Sequence, residues 1–88
     1  FTVIARQFIF EPRTITVRAG DRVRLHIRST DVTHGFAIPV FGVGITIDPN
    51  ETKTVEFTAA QAGTYDMFCS IFCGSGHGAM RGTFVVEE

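Results

Sequence analysis

Arg22-Val23-Arg24-Leu25-His26-Ile27-Arg28 alternates polar and apolar residues without a break. Successive side chains of a β-strand point to opposite faces, so Val23, Leu25 and Ile27 share one face and Arg22, Arg24, His26 and Arg28 the other. The segment is read as a strand with one face in a core and one in solvent, and His26 falls on the solvent side. Ala19-Gly20-Asp21 supplies the turn before it, and Thr14–Arg18 alternates in the same way beyond that turn. Further upstream, residues 2–10 form one mostly apolar, strand-like run. Downstream, Asp48-Pro49-Asn50-Glu51 turns the chain into a strand over Thr52–Phe57, a second follows over Thr64–Phe68, and a last one runs from Gly82 to Glu87. Ala59-Ala60-Gln61-Ala62-Gly63 reads as a short helical turn or loop between two of these. The runs are rich in Val, Ile, Thr and Phe, and helical periodicity is lacking. Short strands at regular spacing in 88 residues predict an all-β fold, a Greek-key β-sandwich in a single domain over residues 1–88.

Composition bounds the function. Hydrophobic residues make up 44% and charged residues 19%, which describes a folding chain and excludes a disordered one. A core at this length buries roughly 60% of the unfolded chain's surface, a marginal amount to which a bound metal would add stability. The net charge of −1 gives no general attraction to nucleic acid or to an anionic membrane. Its distribution is uneven: residues 1–28 carry six Arg against Glu11 and Asp21, and the remainder carries Lys53 and Arg81 against seven carboxylates. A docking surface for a charged protein and Arg-bearing exposed strand faces both fit that pattern. No stretch approaches the roughly 20 apolar residues that span a bilayer, and no basic segment leads into an apolar one at the start. The chain is expected to be soluble as given, with any membrane anchor or leader lying upstream of Phe1.

Chemistry concentrates in Cys69-Ser70-Ile71-Phe72-Cys73-Gly74-Ser75-Gly76-His77-Gly78-Ala79-Met80, between the last two strands. Loops at one end of a rigid sandwich are where such folds carry their sites. Two thiols, an imidazole and a thioether are soft or borderline donors, and together they select copper over magnesium, calcium or manganese. A mononuclear blue-copper site uses one Cys, so the second Cys points to a second metal ion. Two bridging thiolates let a copper pair share one electron, which keeps the geometry nearly constant between redox states. His77 can close one copper, and Met80 can reach as a weak axial ligand. His34, in Thr30-Asp31-Val32-Thr33-His34-Gly35-Phe36, is the candidate imidazole for the other. Asp31 is read chiefly as shaping that turn, with orientation of the imidazole as its second role.

The spacing Cys69-Ser70-x-x-Cys73-Gly74-x-Gly76-His77-x-x-Met80 resembles the ligand loop of the CuA domain of cytochrome c oxidase subunit II. Asp31-Val32-x-His34-Gly35-Phe36 resembles that family's first ligand loop, and Arg6-Gln7-Phe8-x-Phe10-x-Pro12 its first strand. The resemblance runs from Ala5 to Val86 and implies a single CuA-type cupredoxin domain. It further implies that Cys69 and Cys73 bridge two coppers, with His34 terminal on one and His77 on the other. Met80 would sit weakly on the copper held by His34, and the backbone carbonyl of Ile71 on the copper held by His77. The implied function is electron transfer from cytochrome c to the haem of a terminal oxidase, at the periplasmic or outer face of the cytoplasmic membrane. Departures are visible too. Ile71 stands where many relatives have a Glu that helps hold magnesium, Ala37 stands where Trp is common, and the chain has no Trp at all. Electron input is therefore expected through apolar residues such as Ile38-Pro39-Val40-Phe41 or Phe72.

Rival readings start from the same loop. A Cys69–Cys73 disulfide closes too short a loop to stabilise much and leaves His77 and Met80 without a role. A zinc site accepts two Cys and two His but has no use for Met80. The loop is also similar to that of nitrous oxide reductase, with Phe72 and Arg81-Gly82 in common, although Ile71 and Gly74-x-Gly76 depart from that pattern. A free-standing periplasmic copper carrier is a third alternative. Protein donors fill every coordination position in the copper reading, so the domain alone offers no open site for substrate, and any enzyme activity belongs to a parent oxidase complex.

Overall fold

The computed structural model describes residues 1–72 and 74–88, with His77 described through its backbone. Two sheets pack face to face. One contains β1 (Thr2–Arg6), β2 (Ile9–Glu11), β4 (Arg22–Ser29) and β7 (Thr52–Thr58), in the order β2-β1-β4-β7. The other contains β3 (Thr14–Arg18), β5 (His34–Ile38), β6 (Val43–Ile47), β8 (Gly63–Phe68) and β9 (Arg81–Glu87), in the order β3-β9-β8-β5-β6. Parallel pairing joins β1 to β4 and β3 to β9, so the chain passes repeatedly from one sheet to the other. The all-β sandwich expected from the sequence is the fold observed.

Alternation in β4 has the predicted consequence. Val23, Leu25 and Ile27 are buried between the sheets, while on the outer face Arg24 pairs with Glu56 at 3.0 Å and His26 Nδ1 lies 2.8 Å from Thr54 Oγ1. Exposed pairs of this kind contribute about 0–1 kcal/mol each, so the inner face carries the stability. Two aromatic groups fill the core. Phe10 meets Phe36 edge-on at 5.4 Å, and Phe41 packs against Phe57, Tyr65 and Phe84 with centroids 5.1, 4.9 and 5.7 Å away.

Two elements differ from the sequence reading, and a third settles between its two alternatives. The apolar run over residues 2–10 is two strands, broken at Gln7-Phe8, because the chain reverses there and pairs Arg6 with Ile9. His34 does not sit in a loop: it opens β5, which pairs with β6 from His34–Ile47 to Ile38–Val43. The segment after Thr58 is the loop of the two alternatives, and the Tyr65 hydroxyl donates to its Gln61 carbonyl at 2.9 Å.

Candidate metal centre

The connection from β4 to β5 places His34. The Ser29 hydroxyl donates to the Val32 carbonyl, closing the turn, and His34 enters the core with no exposed surface. Its Nε2 lies 2.7 Å from Asp31 Oδ1. The same oxygen accepts the Val32 N–H at 2.6 Å, and Oδ2 accepts the Gln7 N–H at 2.7 Å. Burial pushes the Asp31 carboxyl up, but the Gln7 and Val32 amides and His34 outweigh it and hold the group below its ordinary value. A carboxylate only accepts, so Nε2 is the donor in this bond, and the tautomer that donates there carries its lone pair on Nδ1. That Nδ1 is buried and has no hydrogen-bond partner among the described residues. An unpaired buried nitrogen costs about 1–3 kcal/mol, and ligation of a metal removes the cost. Asp31 therefore does more than shape the turn: it fixes the imidazole tautomer as well.

Cys69 arrives from the other side, directly after β8. β5 and β8 pair only at Ala37–Phe68, and beyond that point the strands part around the cysteine loop. There the Gly35 N–H, instead of joining a ladder, donates to Cys69 Sγ at 3.4 Å. Gly35 is required by this approach, since a Cβ on it would stand 2.7 Å from Ser70 N and 2.8 Å from Ile71 N. The Cys69 thiol in turn donates to the Ile71 carbonyl at 3.1 Å, so that oxygen is aimed at the sulfur. The Cys69 N–H donates to the Met80 carbonyl at 3.2 Å, tying the two ends of the loop, and Met80 is fully buried.

Four of the six expected ligands thus belong to segments joined by hydrogen bonds: the Gly35 N–H beside His34 reaches Cys69, the Cys69 thiol reaches the Ile71 carbonyl, and the Cys69 N–H reaches the Met80 carbonyl. Cys73 and the side chain of His77 lie outside the described residues; the His77 backbone opens a short 3-10 turn, His77–Ala79, immediately before Met80. Among the described residues no three His, Cys, Asp or Glu side chains cluster. The chemistry of the donors nonetheless fits copper: a buried imidazole with Nδ1 unpartnered among the described residues, a buried sulfur with a carbonyl against it, and a buried thioether.

The residues expected at the point of electron input differ in exposure. Ile38 is fully buried and Phe41 is partly buried against the aromatic core, whereas Val40 and Phe72 are 58% and 78% exposed. An open polar cleft of about 430 Å³, lined by Arg13, Thr14, Asp66, Arg81, Gly82 and Thr83, holds none of the candidate ligands.

Residues 1–86 match the family of cupredoxin-like domains. The chain belongs to this family. The cupredoxin is 37% identical over 86 residues to cytochrome c oxidase subunit 2 of Thermus thermophilus, covering 98% of this chain and 64% of that protein. It is also 37% identical over 82 residues to nitrous-oxide reductase of Cupriavidus necator, covering 89% of this chain and 13% of the reductase. Among solved structures, the periplasmic domain of subunit II of the Bradyrhizobium japonicum cytochrome oxidase superposes with a TM-score of 0.88. That match has 25% identity and covers 99% of this chain and 82% of that one. The chain therefore spans less than two thirds of the length of the curated relatives it matches here. These likenesses support a copper-based role in electron transfer. Among the described residues no helix is long and apolar enough to cross a membrane.

Proposed function

We propose that this cupredoxin holds two copper ions as a binuclear CuA centre and relays single electrons from cytochrome c to the haem of a terminal oxidase. The observation that carries the reading is the buried His34 Nδ1, which has no hydrogen-bond partner among the described residues, in a residue whose neighbour Gly35 donates its N–H to the Cys69 sulfur. Cys69 and Cys73 would bridge the metals, His34 and His77 would be terminal ligands, and Met80 and the Ile71 carbonyl weak ones. When bound, the copper pair supplies one-electron redox chemistry with the unpaired electron spread over both metals.

The chain's own residues supply the rest. Asp31 keeps the proton on His34 Nε2 and so keeps Nδ1 available. The Gly35 N–H donates to the Cys69 sulfur and so fixes where that donor atom sits. The two packed sheets exclude water from His34 and Met80, both fully buried, so little solvent reorganises when charge changes at the centre. Residues 1–88 act as one CuA-type domain in this reading. The domain works at the periplasmic or outer face of the membrane, tethered through an anchor or a partner subunit.

Copper titration followed by electron paramagnetic resonance tests this. Two coppers per chain sharing one unpaired electron, with hyperfine coupling to two equivalent nuclei, is the expected result. One copper per chain, or metal held only as Cu(I), sinks the electron relay and favours a copper carrier. Identity to the reductase keeps a nitrous-oxide-reductase-type assembly as the second reading. Electron delivery from the reduced domain to an oxidase core, against delivery to a reductase catalytic domain, separates the two.

A further inference from the structure

The segment between Cys73 and His77 contains two glycines, Gly74 and Gly76, and the Phe8 ring crowds both, with the Gln7 side-chain amide nitrogen 2.7 Å from a Cβ on Gly74 as well. A Cβ on Gly74 would stand 2.8 Å from Cε1 and from Cζ of Phe8, and a Cβ on Gly76 would stand 2.6 Å from Phe8 Cγ and 2.8 Å from Cε2. Real Cβ contacts are longer, since carbon atoms meet at about 3.5–4.0 Å. The loop backbone is therefore laid directly on the ring of Phe8, closer than any residue with a side chain allows. Gly74 adds a second reason, its φ of +135° being one that L residues rarely adopt.

Phe8 belongs to the turn between β1 and β2, and that turn also reaches the other half of the site. The neighbouring Gln7 N–H donates to Asp31 Oδ2, and Asp31 Oδ1 holds His34 Nε2. One two-residue turn thus touches both the carboxylate that orients His34 and the loop that carries Cys73 and His77. Phe8 is only partly buried, packed against the edge of the core, so its ring is placed to support the loop more than to fill the interior.

We propose that Phe8 is a positioning residue for the metal centre, a seat that fixes the Gly74–Gly76 backbone and so sets the two ligands flanking it in register with His34. Supporting groups outside the ligand set commonly change metal affinity by about 10–100-fold, because small displacements of ligands are felt at the metal. The inference rests on the copper reading given above, and its test has a metal-free arm that stands if that reading fails.

Four variants suffice: Phe8→Ala, Phe8→Tyr, Gly76→Ala, and Phe8→Ala combined with Gly76→Ala. In the metal-free protein, thermal unfolding should show Gly76→Ala lowering Tm in the parent chain and costing much less in the Phe8→Ala background, because the ring that the new methyl strikes is gone. Equal losses in the two backgrounds overturn the contact, whatever metal the protein binds. With copper bound, Phe8→Ala should keep its circular dichroism but lose metal to a chelator at least tenfold faster and show unequal hyperfine coupling at the two nuclei. Phe8→Tyr, which retains the ring, should restore both. An unchanged release rate and hyperfine pattern in a folded Phe8→Ala protein overturn the positioning role. A parent chain that takes up no copper pair refutes the function instead and leaves the unfolding cycle to decide the contact.

Discussion

Removing the Asp31 carboxylate should destabilise the metal-free protein by about 2–4 kcal/mol, and the three hydrogen bonds it accepts give that figure. Asp31→Ala strands the Nε2–H of His34, which has no exposed surface, at about 1–3 kcal/mol for an unsatisfied buried donor. The Gln7 and Val32 amides are near solvent, so water replaces their acceptor and each loss costs only about 0.5 kcal/mol, the low end for such bonds. Asp31→Asn should cost less, about 1–2 kcal/mol, because its remaining oxygen can still serve Val32 and His34. Its amide group would then face the Gln7 N–H, donor against donor. Denaturant unfolding at neutral pH, with m unchanged, orders the three proteins as parent, Asn, Ala. The acid limb adds a sign test. The folded carboxyl sits below its ordinary value, so its stabilisation is complete above the unfolded carboxylate range and is lost as pH falls through the lower folded value. Asp31→Asn should flatten that limb. An Asp31→Ala protein within about 0.5 kcal/mol of the parent, the range of an ordinary surface change, would refute the reasoning, as would an Asn variant less stable than the Ala one.

Gly35→Ala should cost about 1–3 kcal/mol in the metal-free protein, an overpacking value, because its methyl would press on Ser70 and Ile71; an unchanged Tm would show that β5 can retreat from the cysteine loop. Phe41→Glu should lose about 3 kcal/mol or more by unfolding, because it places a charge against Phe57, Tyr65 and Phe84. Val40→Glu, on the exposed neighbour, should stay within about 0.5 kcal/mol. In the copper-loaded protein, Met80→Leu should keep the two-copper resonance and shift the reduction potential, since a weak axial ligand tunes more than it holds; loss of all copper would contradict the assigned role.

The sheet faces were legible wherever one side meets water. β4 shows strict alternation, and its buried set is the one its sequence marks. β5 carries no such mark, for all five of its residues are buried and period two vanishes when both faces are covered. His34 therefore looked like a loop residue although it opens a strand. The break at Gln7-Phe8 escaped for a related reason: Phe8 and Ile9 continue the apolar run of β1, and residue type alone does not distinguish a turn that supports a loop from a strand that continues. Gly74-x-Gly76 was the available signal for Phe8, since glycines at alternate positions mark close backbone approach to something. What that something is depends on a contact across nearly seventy residues, which spacing within the loop does not encode.

A sandwich ordinarily closes its ladders, and here the ladder between β5 and β8 is reduced to the single pair Ala37–Phe68 at the place where the site lies. The backbone groups released there are not left idle. Gly35 N–H is redirected to the Cys69 sulfur, and the Ile71 carbonyl receives the thiol. The Gly35 N–H and the Ile71 carbonyl thus become part of the electrostatic surroundings of a sulfur. Glycine at position 35 makes this exchange possible, because only a residue without Cβ lets the loop approach closely enough to collect the released N–H. The candidate metal centre is on this account a local substitution of sulfur for a strand partner. Its rigidity follows from the strands on either side, which remain fully paired: β5 with β6 over five positions and β8 with β9 over six.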